Sequence, residues 1–168
     1  MHIHIAELTA GLGKDLPFSF TTTAAKIDAT AADYAFEGPI EVEGTVTNTG
    51  AGYRVEGVIR ATKHFVCNRC LEDCTEAQEH AFCETFRQGT IAEDDDANSF
   101  EGDDIELEEL VRDTLLAAQP LSNICKPDCK GLCPVCGANR NYGDCGCETF
   151  VPDPRLAALQ QFMTKDND

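Results

Sequence analysis

The cysteine pattern constrains this chain more than any other feature of its sequence. The stretch CKPDCKGLCPVCGANRNYGDCGC, from Cys125 to Cys147, holds six of the ten cysteines within 23 residues, and CNRC at 67–70 holds two more. Thiolates bind zinc tetrahedrally, and four of them make a closed structural site. A two-residue spacer lets both sulfurs of one turn reach the same ion. The pattern therefore predicts a metal-binding protein.

Eight cysteines fall into four pairs, which is enough for two four-cysteine sites. The pairs are Cys67/Cys70, Cys125/Cys129, Cys133/Cys136 and Cys145/Cys147. We expect about two zinc ions per chain, with iron as the alternative, because the knuckle that contains Pro134 and Gly137 is shared by both metals. The two remaining cysteines, Cys74 and Cys83, are interpreted as buried small hydrophobic residues.

The spacing leaves open which pairs share an ion. The preferred grouping is local in the C-terminal half, where Cys133/Cys136 join Cys145/Cys147 in one site. Cys67/Cys70 would then join Cys125/Cys129 in the other. The rival grouping combines Cys67/Cys70 with Cys133/Cys136, as in a rubredoxin-like site built from two knuckles.

Two other uses of these cysteines are less consistent with the sequence. A disulfide framework suits short secreted chains, whereas the N-terminal MHIHIAELTAGLGKDLPF has neither the basic nor the apolar region of a secretory signal. We therefore expect a cytoplasmic protein with reduced thiols. Dithiol redox chemistry requires a thiol of low pKa, and the acidic Glu72 and Asp73 beside CNRC disfavour a thiolate there.

Alternating hydrophobic residues predict an antiparallel β-meander. HIHI at 2–5, LPFSFTTT at 16–23, and the paired stretches 39–50 and 51–67 show the alternation, and NTGAG between the last two predicts a hairpin turn. A further strand is expected over 76–88. Residues 1–92 would thus form an antiparallel β domain that carries the first Cys-x-x-Cys.

A change of pattern follows at residue 93. EDDDANSFEGDD, 93–104, is acidic and predicts a mobile linker. An apolar stripe over 105–118 predicts a helix that Asp103 or Asp104 caps and that ends at Pro120. Residues 105–168 would combine this helix with the zinc-knuckle segment and a short C-terminal helix over 153–163. The expected class is α+β, an antiparallel β-meander with one or two packed helices and a cysteine-rich zinc-binding C-terminal segment.

The charge points to a protein partner and away from nucleic acid. The net charge is −17 and the isoelectric point is about 4.4, whereas phosphate-driven binding needs clustered Lys and Arg. An acidic surface suits a basic partner. Only Lys126, Lys130 and Arg140 form a small basic spot, which leaves weak RNA contact as an alternative. The sequence has no apolar run long enough to span a membrane, and no acid–base pair, phosphate-binding loop or Ser/His/Asp arrangement.

Four motifs resemble the bacterial and plastid YceD family, the large ribosomal RNA subunit accumulation proteins. They are CNRCLED, IELEELVRDTLLAAQPL, CKPDCKGLCPVCGANRNYGDCGCE and DPRLAAL. The resemblance covers roughly residues 60–160, and Arg140 stands where the family often has an apolar residue. Some members of the family lack the later cysteines but keep the first Cys-x-x-Cys.

The resemblance implies a cytoplasmic, non-catalytic protein that is needed for normal levels of large-subunit ribosomal RNA. The gene commonly neighbours that of a small ribosomal protein of the large subunit. Together with the charge, this predicts a basic ribosomal protein or a pre-ribosomal particle as the partner. An RNA-contacting zinc-knuckle protein and a thiol-disulfide oxidoreductase are the alternatives.

Overall fold

The computed structural model describes residues 1–9, 11–90 and 96–148, together with Arg155. The chain divides into two compact units. The first contains Met1–Val66 and Asp73–Asn123, and the second contains Cys67–Glu72 and Ile124–Asp168. This differs from the division expected from sequence, because the turn at 67–72 belongs with the cysteine-rich segment and the helix belongs with the strands.

Within its described residues, the first unit contains seven strands and one helix. The strands are β1 (His2–His4), β2 (Asp15–Thr22), β3 (Tyr34–Asn48), β4 (Tyr53–Val66), β5 (Asp73–Gln88), β6 (Asn98–Phe100) and β7 (Asp104–Glu106), and the helix is α1 (Glu108–Ala117). Five strands form one sheet in the order β2-β3-β4-β5-β6, and β1 pairs with β7 in a second, two-stranded sheet. The pairs from β2 to β5 are antiparallel, whereas β6 runs parallel to β5.

The central hairpin confirms the prediction from alternation. Val42 faces Ile59 and Val46 faces Val55 across β3 and β4, and all four side chains are completely buried. The turn between these strands contains Gly50 with a φ of 83°, a conformation that glycine adopts without a steric cost. Period-two burial therefore sets the register of the sheet.

A pair of glycines makes room for two aromatic rings on the buried face of the sheet. Gly44 and Gly57 lie opposite each other in β3 and β4. A Cβ atom on Gly44 would lie 2.6 Å from the ring of Phe18, and one on Gly57 would lie 2.9 Å from the ring of Phe82. Both positions therefore need glycine for the rings to pack against the sheet.

The acidic stretch 93–104 contains more regular structure than a linker. Its Asn98–Phe100 forms β6 and its last residue begins β7, while 93–95 lie outside the described residues. Phe100 is buried, and Ile105 pairs with Ile3 across β7 and β1. Burial of these apolar side chains in one hydrophobic cluster stabilises β6 and β7 within the acidic stretch.

The helix is shorter than the sequence predicted. It begins at Glu108, because 104–106 are occupied by β7, and neither Asp103 nor Asp104 caps it. Val111 and Leu115 are buried in the cluster that also contains the strand residues. Among the described residues the fold is predominantly β with this one helix, and the helix predicted over 153–163 lies outside them, apart from Arg155. No helix of the described chain is sufficiently long and apolar to cross a membrane.

Candidate metal centre

The turn that follows β4 presents the first pair of cysteines. The backbone N–H of Cys67 donates to the carbonyl of Glu72 at 2.9 Å, and the N–H of Leu71 donates back to the carbonyl of Cys67 at 2.9 Å. Leu71 has a φ of 59°, which tightens the turn at the cost of some strain. The result is a short knuckle in which Cys67 and Cys70 point to one centre.

The second pair comes from the segment that begins at Ile124. The N–H of Cys129 donates to the carbonyl of Lys126 at 3.0 Å, which closes the turn between Cys125 and Cys129. Arg69 joins the two turns: its guanidinium donates to the carbonyl of Cys129 at 2.9 Å, and its own carbonyl accepts from the N–H of Leu132 at 3.0 Å. Backbone and side-chain hydrogen bonds thus place four thiols from two distant stretches together.

The sulfur geometry of this first cluster matches a tetrahedral metal shell. The Sγ atoms of Cys67 and Cys129 are 3.9 Å apart, and those of Cys70 and Cys125 are 3.7 Å apart. A tetrahedron with metal–sulfur bonds of about 2.3 Å has sulfur–sulfur edges of about 3.8 Å. All four ligand atoms lie within 4.8 Å of one another. A disulfide would need about 2.05 Å, and all ten cysteines are free.

Hydrogen bonds to sulfur favour the thiolate form of Cys67 and Cys129 in the first cluster, whereas the pKa values of Cys70 and Cys125 are raised. Burial opposes the charged form of Cys67, but N–H groups that include those of Cys125 and Cys70 outweigh it and lower its pKa to about 6. The expectation that Glu72 and Asp73 disfavour a thiolate in this motif is therefore wrong for Cys67. The side-chain amide of Asn141 donates to the sulfur of Cys129 at 3.4 Å and lowers the pKa of that thiol. Burial and the neighbouring sulfurs raise the pKa of Cys125. Four crowded sulfurs cannot all ionise alone, whereas a bound cation would stabilise all four thiolates.

The second cluster is built on the knuckle around Pro134. The N–H of Gly137 donates to the carbonyl of Cys133 at 2.9 Å, and the N–H of Cys133 donates to the carbonyl of Ala138 at 2.8 Å. Gly137 has a φ of 74°, as the turn requires. Cys133, Cys136, Cys145 and Cys147 also have their sulfurs within 4.8 Å of one another. This cluster is more open than the first, because Cys136 is exposed and only Cys133 is buried.

The same electrostatic pattern recurs in the second cluster. Backbone N–H groups of Cys136 and Val135 lower the pKa of Cys133 to about 6. Hydrogen bonds among the sulfurs, that with Cys136 first, raise the pKa of Cys147 to about 12. A bound cation would stabilise the thiolate form of all four cysteines here as well.

The structure brings together the eight cysteines that the sequence singled out, in the preferred grouping. Cys67/Cys70 lie with Cys125/Cys129, and Cys133/Cys136 lie with Cys145/Cys147. The rival grouping would need the sulfurs of Cys67/Cys70 beside those of Cys133/Cys136, and the two clusters are separate.

The two cysteines outside the clusters differ from their interpretation as buried residues. Cys83 is exposed and Cys74 is only half-buried. The guanidinium Nε of Arg54 donates to the sulfur of Cys83 at 3.3 Å, a contact that an outward-facing position on β5 allows. His64, three residues before Cys67, lies 3.7 Å from Asp73 and 3.9 Å from Glu37.

Several polar residues that support the first cluster were not singled out from the sequence. Asn141 contacts the sulfur of Cys129 and also accepts from the N–H of Lys130 at 2.9 Å. The phenol of Tyr142 donates to the carboxylate of Glu72, which is also 3.8 Å from the sulfur of Cys70. Such outer contacts orient metal ligands. The sequence carried one signal for them, the polar run ANRNYGD between the last two cysteine pairs.

Comparisons with known proteins agree with the cysteine motifs. The family model described as large ribosomal RNA subunit accumulation protein YceD matches residues 55–163. An uncharacterized protein of Mycobacterium tuberculosis is 28% identical over 134 residues, which cover 77% of this chain and 64% of that protein. No solved structure matches the chain.

Two plant proteins carry the name of the family. The chloroplastic large ribosomal RNA subunit accumulation protein YCED homolog 1 of Zea mays is 27% identical over 143 residues, which cover 66% of this chain and 49% of the relative. The Arabidopsis thaliana homolog 1 is 25% identical over 146 residues, which cover 68% and 46%. The chain therefore spans less than two thirds of the length of these curated relatives.

Proposed function

The chain belongs to the YceD family, and we propose that it is a non-catalytic zinc-binding factor for the accumulation of large-subunit ribosomal RNA. It acts by binding a basic ribosomal protein or a pre-ribosomal particle. The name of the family and of its plant relatives describes accumulation of that RNA and no reaction. The observation that carries the proposal is the pair of closed four-sulfur clusters in a chain of this family.

Zinc is the ion that the donor set favours. Four thiolates with tetrahedral edges form a structural zinc site, whereas a catalytic zinc site keeps one position for water or substrate. The four sulfurs of each cluster leave no such position. Iron binds the same shell and is therefore the alternative. The role of zinc here is structural, since it would hold the short turns of the second unit together.

The acidic charge supports a basic protein as the partner. Ribosomal proteins are rich in Lys and Arg because they bind RNA, and a net charge of −17 attracts such a protein. An acidic factor can keep a basic protein soluble until its RNA site is available. Reduced cysteines are required for metal binding, which is consistent with action in the cytoplasm.

Direct RNA contact is the second candidate function. Lys126 and Lys130 are exposed in the second unit, and Arg140 is half-exposed. Three basic groups can contribute only a few phosphate contacts, so their affinity would be weak and sensitive to salt. A thiol-disulfide oxidoreductase is less well supported, because each Cys-x-x-Cys lies in a four-sulfur cluster that metal would occupy.

The test is depletion of the protein in its host, with recovery by plasmid-borne variants. We expect large-subunit ribosomal RNA to fall relative to small-subunit RNA, and we expect the wild-type chain to restore it. Capture of the tagged protein at low salt should enrich a basic ribosomal protein. Normal RNA levels after depletion would overturn the proposal, and tight binding of purified ribosomal RNA at physiological salt would favour the second candidate.

A further inference from the structure

Strand β5 has one edge that is paired along only a small part of its length. Its other edge pairs with β4 over fourteen residues, from Asp73 to Phe86. On the open side, β6 covers only Phe86–Gln88. Within the described part of the chain, no strand pairs with this side of Thr75–Thr85. At about 3.3 Å per residue, that open stretch is about 35 Å long.

Hydrogen bonds at the end of β5 show which backbone groups face the open edge. The N–H of Gly89 donates to the carbonyl of Phe100 on the β6 side at 3.0 Å. At the other end, the N–H of Cys67 donates to the carbonyl of Glu72, on the β4 side. The odd-numbered Gly89 thus faces the β6 side, and the even-numbered Glu72 faces the β4 side. Because the direction of the backbone N–H and C=O groups alternates from residue to residue along a strand, the odd-numbered residues of 75–85 direct these groups to the open edge.

These odd-numbered residues are also accessible. Thr75, Ala77, Glu79, Ala81 and Cys83 are exposed and Thr85 is half-buried. The alanines on both sides of Glu79 leave room on this face for long side chains from an adjacent strand. A shallow cavity that includes Ala77, Glu79 and Arg60 in its lining lies beside them.

The charge of this edge selects the kind of strand that would bind. Thr75–Thr85 contains Glu76, Glu79 and Glu84 and no Lys or Arg. Glu79 lies on the outer face, and Glu76 and Glu84 lie on the opposite face, because side chains alternate along a strand. Arg60 of β4 already donates to the carboxylate of Glu79 at 2.9 Å, so a basic residue on the outer face of an added strand would share that carboxylate with Arg60. A basic residue on the opposite face would meet Glu76 or Glu84. Opposite charges across neighbouring strands are stabilising and like charges are destabilising.

From this edge we propose that β5 binds an extended, Lys- and Arg-rich segment of a partner protein as an additional strand of the sheet. The backbone groups of the odd-numbered residues supply the affinity, and the three glutamates select basic side chains. A second copy of this chain would bring glutamates against glutamates, and RNA would bring phosphates against them. This inference rests on the proposed function, since it names the surface on which a basic partner is held.

Hydrogen exchange with a defined peptide tests the proposal at single residues. The probe is a twelve-residue peptide of alternating lysine and valine, added to the full chain purified under reducing conditions. In the free protein we expect fast exchange of the N–H groups of the odd-numbered residues 75–85 and slow exchange of the even-numbered ones. The peptide should slow hydrogen exchange of the odd-numbered N–H groups at least tenfold. The same peptide with every backbone nitrogen methylated keeps its charge but has no backbone N–H to donate to β5, and it should not slow this exchange.

Two pairs of variants separate backbone pairing from charge. Ala81→Pro removes one backbone N–H at the open edge and should weaken binding of the peptide about tenfold. Ser19→Pro is its control on β2, an outer strand that already carries Pro17. Replacement of Glu76, Glu79 and Glu84 by glutamine should weaken binding at low salt. The control replaces the exposed Glu7, Glu101 and Glu106. Exchange protection of the β4–β5 ladder reports whether Ala81→Pro is folded.

Several outcomes would overturn the proposal. The first is slow exchange of the odd-numbered N–H groups in the free protein at every concentration. The second is protection that rises with protein concentration alone, which would reveal a second copy as the occupant. The others are protection by RNA but not by the peptide, and equal binding of the N-methylated peptide. None of these depends on ribosomal RNA levels in the depleted host. Loss of this surface and loss of the proposed function are therefore distinguishable.

Discussion

The ammonium group of Lys63 donates a hydrogen bond to Oδ1 of Asn123 at 2.7 Å, although the lysine is only 1% exposed. Its Nζ atom also lies 4.6 Å from the ring centroid of Tyr34 and 5.1 Å from that of Phe65. Burial of a charge is costly unless it is hydrogen-bonded, and the ring faces attract cations. Lys63 thus links β4 to the segment after α1.

Loss of either partner in this pair should destabilise the first unit. Lys63→Met keeps most of the apolar stem but leaves Oδ1 of Asn123 without its donor, and Asn123→Ala leaves the buried ammonium without its acceptor. We expect each to lower the free energy of unfolding by about 1–3 kcal/mol, measured by denaturant titration of the reduced, metal-saturated protein.

A double-mutant cycle isolates the contact itself. If the pair is coupled, the combined variant should lose less stability than the sum of the two single losses, by about 1 kcal/mol or more. Strict additivity would contradict the role of the hydrogen bond. Lys14→Met, at an exposed lysine, is the matched control and should change stability by less than about 0.5 kcal/mol.

The same lysine should make stability depend on alkaline pH. Burial lowers the pKa of Lys63 from 10.5, and the charge of Glu76 opposes that effect. Burial and Asp33 raise the pKa of the neighbouring Tyr34 from 10.0. At pH values between the lowered pKa of Lys63 in the folded state and 10.5, the unfolded chain binds more protons than the folded chain. The free energy of unfolding therefore rises with pH in this range.

Lys63→Met removes this contribution and leaves the other titrating groups in place. We expect the stability advantage of the wild type over the variant to grow as pH is raised toward 10.5, measured by urea unfolding at several alkaline pH values. A constant difference would mean that the pKa of Lys63 is the same in the folded and unfolded chain.

Local patterns made part of the fold predictable. The β3–β4 hairpin combines strict alternation with a glycine turn, so its register follows from neighbouring residues. In contrast, β6 and β7 are three residues each, and their signal is one apolar side chain apiece, Phe100 and Ile105, within an acidic run. Ile105 is ordered by Ile3, far away in sequence, and no local pattern contains such a contact.

The site was predictable to a similar extent. Cysteine spacing identifies pairs, because two sulfurs on one turn are a local feature. The grouping of pairs is tertiary, and only the sulfur distances show it. Asn141 is an ordinary polar residue in the sequence, and its importance comes from its position 3.4 Å from the sulfur of Cys129.

The grouping predicts how metal content responds to cysteine loss. Each cluster should hold one ion, so Cys70→Ser and Cys136→Ser should each leave about one ion per chain, as expected for four-ligand sites. The double variant should hold none. Under the rival grouping both cysteines serve the same ion, so the double variant would keep one. Elemental analysis or native mass spectrometry measures this, with Cys83→Ser as the two-ion control outside both clusters.

Removal of metal should affect the two units unequally. The second unit has few buried apolar residues, since its buried positions are mainly cysteines, whereas the first has a large apolar cluster. Structural zinc supplies about 10–16 kcal/mol of apparent binding free energy in small sites. We expect a chelator to increase hydrogen exchange over 124–148 and over 67–72, while β3 and β4 stay protected. Equal loss of protection in both units, or in neither, would contradict this expectation.

Asn141 should tune the first cluster without affecting the second. Its side-chain N–H donates to the sulfur of Cys129, which stabilises the thiolate, and loss of such an outer contact typically weakens metal binding 10- to 100-fold. We expect Asn141→Ala to speed release of one ion to a chelator, while the ion at Cys133/Cys136 leaves at the wild-type rate. Asn141→Asp replaces the donor with a carboxylate beside a thiolate and should be at least as harmful. Equal acceleration of both ions would show instead that Asn141 acts on the folding of the whole segment.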